Sequence, residues 1–231
     1  MWRREVNGRT LTFHLAGINN QNFLMRDEET GTYWQQISGR AISGLLAGHQ
    51  LDLVASDELT FATWRSEYPS GTVLSAVSKF ESQYEAKEWE KEYAKLPVVT
   101  RRQPGEPLEP RRLVLGIQAS GASRAFPVDR LLARKLVQDA VGAEPVLIVV
   151  AADNASIRVF RRRLPGQAAP PDFYRKSNAL LLDAATGSEW NFQGCAVAGP
   201  AKGVCLDRVN AVKDYWFDWR LYNPATTVYR Q

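Results

Sequence analysis

Metal chemistry and a disulfide framework have almost no raw material in this chain. It has two cysteines and two histidines in 231 residues. No Cys-x-x-Cys or His-x-x-x-His spacing occurs, which excludes the usual zinc and dithiol motifs, and no metal or other cofactor is expected. No apolar run reaches the length of about 18 residues that a membrane-spanning helix needs. The opening MWRREVNGRT carries charge but no apolar stretch, so no signal peptide is expected in this chain. His14 and His49 stand far from any paired acid and nucleophile, and a lone histidine of this kind reads as structural or exposed. No catalytic residue is assigned.

What is present is a substantial core and a repeat. Apolar residues make up 45% of the chain, enough to fold without staples. Residues 22–73 align with residues 178–228 across a single gap opposite Ile37, with 18 identities in 51 pairs. Chance would give about three. A weaker match extends the repeat upstream, from Trp2–Gly8 onto Phe160–Gly166. The retained residues are mostly Gly, Trp, Pro, Asp and Thr, the residues of turns and core anchors. Shared positions are therefore read first as scaffold.

The pattern predicts a β-rich α+β protein: internally duplicated small antiparallel sheets with a few short helices, in a pseudo-two-fold arrangement. The expected division is a first repeat over 1–78, a helix and proline-rich linker over 79–110, and a second repeat over 111–231, all in one integrated unit. Residues 79–96 are rich in helix formers, and Pro97, Pro104, Pro107 and Pro110 mark an extended linker. Leu113–Ile117 and Ser123–Phe126 read as a hairpin. A helix is expected from Pro127 through Val141, closed by Gly142. Val146–Ala151 reads as a buried strand, with Ser156–Phe160 pairing back. Two further helices are expected, Ser56–Tyr68 capped by Ser56 and Lys213–Tyr222. Each would stop before a proline, Pro69 or Pro224.

Candidate sites are few. Trp34 and Trp190 read as core anchors, with an aromatic-lined ligand pocket as the rival. Asp27 and Asp183, and Asp52 and Asp207, are doubled and placed where aspartate caps backbone N–H groups. Cys195 and Cys205 flank the Gly199–Gly203 loop and face each other if the segment is a hairpin. Two thiols are favoured there over a disulfide, because no export signal is present. Arg124, Arg175, Lys176 and Asn178 complete the ligand-binding candidates. Residues 1–95 hold 10 Lys and Arg against 13 Asp and Glu, and residues 96–231 hold 19 against 12. Such asymmetry, with basic and aromatic residues interleaved over 158–163 and 173–178, admits a nucleic-acid reading. A solvated or edge-guarding basic face explains it equally well.

The order of Val114-Leu115-Gly116-Ile117, Arg124-Ala125-Phe126-Pro127, Asp139-x-Val141-Gly142-x-x-Pro145-Val146, Asn178 to Trp190 and Gly199-x-x-x-Gly203 resembles the bacterial and archaeal "domain of unknown function 3179" family. So does the stretch from Asn7 to Gly44. The resemblance implies a fold and no reaction. In similar proteins the strand like 146–151 runs into a cysteine-containing segment; here Ala151-Ala152-Asp153-Asn154 follows. The counterpart of residues 111–159 is missing before Met1. A truncated longer protein, exported or envelope-associated, is the expectation that follows. The leading reading is a non-enzymatic binding or scaffold module with an unidentified protein partner or a second copy. The alternatives are a thiol, redox or hydrolytic enzyme whose cysteine segment lies upstream, and a nucleic-acid binder.

Overall fold

The computed structural model describes residues 1–19, 22–84, 91–92, 94–177 and 180–230. They form two compact units. The first comprises Met1–Ser56 with Arg220–Pro224, and the second Asp57–Trp219 with Ala225–Gln231. Residues 57–78, counted with the first repeat by sequence spacing, fall in the second unit. The fold is β-rich α+β, with small sheets and short helices.

The first unit opens with a short hairpin, β1 (Glu5–Val6) and β2 (Arg9–Thr10). A four-stranded antiparallel meander follows: β3 (Phe13–Asn19), β4 (Asn22–Asp27), β5 (Tyr33–Gln35) and β6 (Ala41–Ser43). Val6, Leu11, Trp34, Ala41 and Leu51 form its core. The Trp34 indole N–H donates to Asp27 Oδ2 at 2.8 Å, and Phe13 meets the Trp34 ring edge-on at 5.9 Å. Asp27 also accepts the backbone N–H and hydroxyl of Thr30. Burial alone would raise the Asp27 carboxyl, but the Trp34 and Thr30 bonds hold it below the usual range.

The second unit is built on α1 (Phe61–Glu67), a 3₁₀ segment Ser78–Gln83, β7 (Leu113–Ala119), β8 (Ala122–Pro127), α2 (Val128–Arg134), β9 (Leu136–Val141), β10 (Glu144–Val150) and β11 (Ile157–Arg161). After them come β12 (Phe173–Arg175), β13 (Leu181–Asp183), β14 (Glu189–Trp190), β15 (Ala196–Ala198), β16 (Ala211–Tyr215), α3 (Trp216–Tyr222) and β17 (Thr227–Val228). The sheet orders are β16-β7-β8-β17, β11-β10-β9 and β12-β13-β14-β15, with only β8 and β17 parallel among them. Strand β10 is the spine. Val146, Ile148 and Val150 enter one core with Phe126, Leu131 and Val159. Leu147 and Val149 enter another with Phe160, Phe173 and Trp190. A strand buried on both faces must be a continuous apolar run, and this one is.

The hydrogen bonds around Trp190 match those around Trp34. The Trp190 N–H donates to Asp183 Oδ2 at 2.8 Å, Thr186 caps Asp183, and Phe173 meets the indole edge at 5.7 Å. Glycine is required at matching positions. A Cβ on Gly39 would lie 2.7 Å from the Trp2 ring, and one on Gly194 would lie 2.1 Å from Phe160.

Three expected helices are corrected. Residues 136–141 are strand β9, not the end of a helix. Lys135 adopts left-handed φ 66° and stops α2, after which Val137, Asp139 and Val141 alternate against β10. Helix α1 begins at Phe61, because the Thr60 side chain accepts the Thr63 N–H and Ser56 does not cap it. Residues 211–215 pair with β7, so α3 begins only at Trp216. The expected helix over 79–96 lies partly outside the described residues; its described start is 3₁₀.

Cys195 and Cys205 are antiparallel bridge partners with Cα atoms 4.0 Å apart, and their sulfurs are bonded. The expectation of two thiols is corrected. Arg40 and Gln50 make the corresponding bridge in the first unit without a covalent link. The unreduced, denatured protein should therefore show no reactive thiol. Cys195→Ser with Cys205→Ser should keep the fold and lose about 2–3 kcal/mol in urea denaturation.

Strand β16 carries a carboxyl against its nature. Burial, together with the Asp218 carboxylate, pushes Asp214 up to about 8. The unfolded chain releases this proton near 3.8, whereas the folded chain keeps it to about 8. The folded state therefore binds the extra proton, and its stabilisation is lost as pH rises through that window. Urea midpoints should fall steadily from pH 5 to pH 8. Asp214→Asn should flatten that decline.

Candidate functional site

Strand β10 ends at Val150 and the chain turns through 151–156. Asp153 organises that turn. Its Oδ1 accepts the backbone N–H groups of Ala155 and Ser156, both at 2.9 Å. Its Oδ2 accepts three hydroxyls: Ser156 at 2.6 Å, Thr60 at 2.6 Å and Thr63 at 2.7 Å. The Thr60 N–H donates in turn to Ser156 Oγ at 2.9 Å. Burial would raise the Asp153 carboxyl, but five converging donors hold it far below the carboxylate range. It is an ionised acceptor and has no proton to give near neutral pH.

Two residues beyond the turn, Arg158 lies in β11 with its side chain wholly buried. Its guanidinium makes a fork with Glu67, Nη1 to Oε1 at 2.5 Å and Nη2 to Oε2 at 2.6 Å. Its Nε donates to Asp57 Oδ2 at 2.9 Å, and Arg208 takes the other Asp57 oxygen at 2.8 Å. Phe192 stacks on Arg158 at 4.6 Å. Burial alone would lower the Arg158 pKa, but Glu67 and Asp57 raise it on balance. These contacts and those of Asp153 fasten the whole segment 57–67. Helix α1 itself buries no residue, and Phe61 is 62% exposed. Polar bonds, rather than an apolar face, hold this helix in place.

Between α1 and the end of β10 lies a cavity of about 350 Å³. Ala62, Thr63, Ser66 and Glu67 form one wall. Val149–Asp153, Leu180, Leu181 and Phe192 form the others, and Arg175 and Ser177 stand at its margin. The lining is mainly apolar. Its two carboxylates are committed, Glu67 to Arg158 and Asp153 to hydroxyls and amides. Among the described lining residues there is no histidine or cysteine, and the Thr63 hydroxyl is bonded to Asp153. The arrangement can hold an apolar group.

Of the ligand-binding candidates among the described residues, Arg175 lines this cavity; its Nη1 also donates to the carbonyls of Lys135 and Val150 at 3.3 and 3.4 Å. Trp34 and Trp190 are fully buried, with their N–H groups and ring edges occupied as described. Arg124 pairs with Asp139 at 3.1 Å and lies over Phe126. Lys176 pairs with Glu189. Asn178 lies outside the described residues. His49 bonds Asn7 and the Leu46 carbonyl, and His14 stands 4.0 Å from Glu28. Among the described residues no cluster could hold a metal ion.

Sequence reading missed Asp153, Arg158, Asp57 and Glu67. The Asp-Asn-Ala-Ser run was a visible turn signal, but Thr60 and Thr63 are about 90 residues away. Nothing local announces that pairing. Asp153→Ala would leave three hydroxyls and two amides short of an acceptor. It should cost about 2–3 kcal/mol and raise amide hydrogen exchange across 57–67 more than elsewhere. Arg158→Met should cost about 3–5 kcal/mol by stranding Glu67, read from the same denaturation curves.

No curated protein and no solved structure shows significant similarity to this chain. One family profile does, that of "Protein of unknown function (DUF3179)", and it runs through residues 1–226. A match over nearly the whole length, spanning both units, places the chain in the DUF3179 family.

Proposed function

We propose that this protein is a non-enzymatic binding module, made of two like halves, that holds a compact and mainly apolar ligand group beside the end of β10. One observation carries the reading: a cavity of about 350 Å³ with mainly apolar walls, whose two carboxylates are already hydrogen-bonded within the protein. A pocket of that size takes a small ligand with an aromatic or branched aliphatic body. The matching bonds of Trp34 with Asp27 and Trp190 with Asp183 support a doubled scaffold, on which the cavity is an asymmetric addition. The place where the resemblance drawn above leads into a cysteine carries Ala151 and Ala152. That favours binding over thiol chemistry.

Indole is a suitable probe, because it is mainly apolar, fits within the volume and has one donor. Amide resonances of Val149–Asp153 and Leu180–Leu181 should shift on its addition, and Ala152→Phe should abolish the shifts with little change in melting temperature. Shifts spread evenly over the protein, or persisting in Ala152→Phe, would defeat the proposal.

A further inference from the structure

The β3–β4 hairpin of the first unit is longer than its counterpart. Phe13 pairs with Asp27 and Phe173 pairs with Asp183, separations of 14 and 10 residues. The additional length is apolar and exposed: Leu15 is 64% exposed, Ile18 72% and Phe23 55%. Register puts them on one face. Leu15 faces Met25 and Ile18 faces Phe23, with the bulge between Leu15 and Gly17 restoring the alternation. That face begins in the core at Phe13 and Met25 and continues outward to Leu15, Ile18 and Phe23, which stay exposed among the described residues.

The edge itself is open. The Glu28 N–H donates to the Thr12 carbonyl, so the hydrogen-bonded pairs along the ladder are His14–Arg26 and Gly17–Leu24. The N–H and C=O groups of Phe13, Leu15 and Ile18 then point away from β4. In the second unit the matching edge is covered, because Gln138 donates to the Phe173 carbonyl and accepts its N–H. Edge strands are normally guarded by charge, proline or a bulge, and β3 has the bulge between Leu15 and Gly17 alone. From Leu15 to Met25 there is no Asp, Glu, Lys, Arg or Pro.

We propose that β3 is a self-association edge. Two copies pair β3 with β3 antiparallel about a two-fold axis, so that Leu15 and Ile18 gain cross-strand neighbours from the partner and the two apolar strips join into one face. A second copy satisfies both features at once. It supplies backbone partners to the outward N–H and C=O groups, and it presents an equally apolar, uncharged strip that repels nothing. A lipid surface would cover the side chains but leave the backbone groups without partners. The inference is independent of the cavity.

Sedimentation equilibrium of the full chain, from about 1 to about 200 µM, tests it. The wild type should sediment as a dimer in the upper part of that range. Ile18→Glu should weaken dimerisation by about 100-fold or more. Ile18→Pro removes an outward-facing donor along with the isoleucine side chain and should do the same with an unchanged circular dichroism spectrum. Leu45→Glu alters an equally exposed leucine elsewhere (76%) and should leave the dimer intact. A wild type that stays monomeric throughout overturns the proposal. So does a dimer that neither Ile18 variant weakens, or one that Leu45→Glu dissociates equally.

Discussion

A guanidinium cannot be buried alone, and Arg158 is buried in the middle of a strand. Its position in β11 is set by the ladder with β10, where it faces Val149. From there it must find carboxylates, and β9 and β10 offer none on that face. Glu67 and Asp57 meet the demand from a segment about 90–100 residues away in the chain. Once they do, the path of residues 57–67 is determined, and so is the wall of the cavity. The helix that forms this wall has no buried residue of its own. Its position follows from an electrostatic requirement in β11 rather than from hydrophobic packing.

The same economy appears at Asp27 and Asp183. Each carboxylate accepts an indole N–H, a hydroxyl and a backbone N–H, so that a tight turn and a buried tryptophan depend on one residue. A buried indole needs an acceptor, and an ionised aspartate needs several donors. The two needs cancel within seven residues of chain. This explains why Asp, Thr, Gly and Trp are kept together in both segments while the residues between them differ. It also explains why neither tryptophan offers a ring face to a ligand.

Local chemistry made these hairpins legible before any coordinates. Turn glycines, the Asp-to-Trp spacing and the two-sided apolar run at 146–150 all act within a few residues. Helix ends were less legible. Leu136, Val137 and Val141 satisfy a helical period, yet they form a strand because Lys135 turns left-handed and Glu144–Val149 provides a ladder. Likewise Lys213 and Asp214 precede a helix but pair with β7. In both cases a partner strand distant in sequence overrode a local pattern. The cavity was least legible, since its walls come from four separate stretches brought together by Arg158 and Asp153.

The basic second half also reads differently once its partners are known. Arg161 and Arg163 both reach Glu144, Arg162 pairs with Asp172, Arg208 with Asp57 and Lys213 with Glu58. A tract that interleaves basic and aromatic residues in the sequence thus has most of its arginines in ion pairs, several of them at the surface. To take a phosphate, Arg158 would have to leave two carboxylates and the Phe192 ring in a space closed to water, at a cost of about 3–5 kcal/mol. One phosphate contact at moderate salt does not offset that cost, because its gain shrinks as counterions compete. Arg158, with Arg208 on the other Asp57 oxygen, therefore acts as a positioning residue: by fixing Glu67 and Asp57 from a distant segment it sets the α1 wall of an apolar cavity.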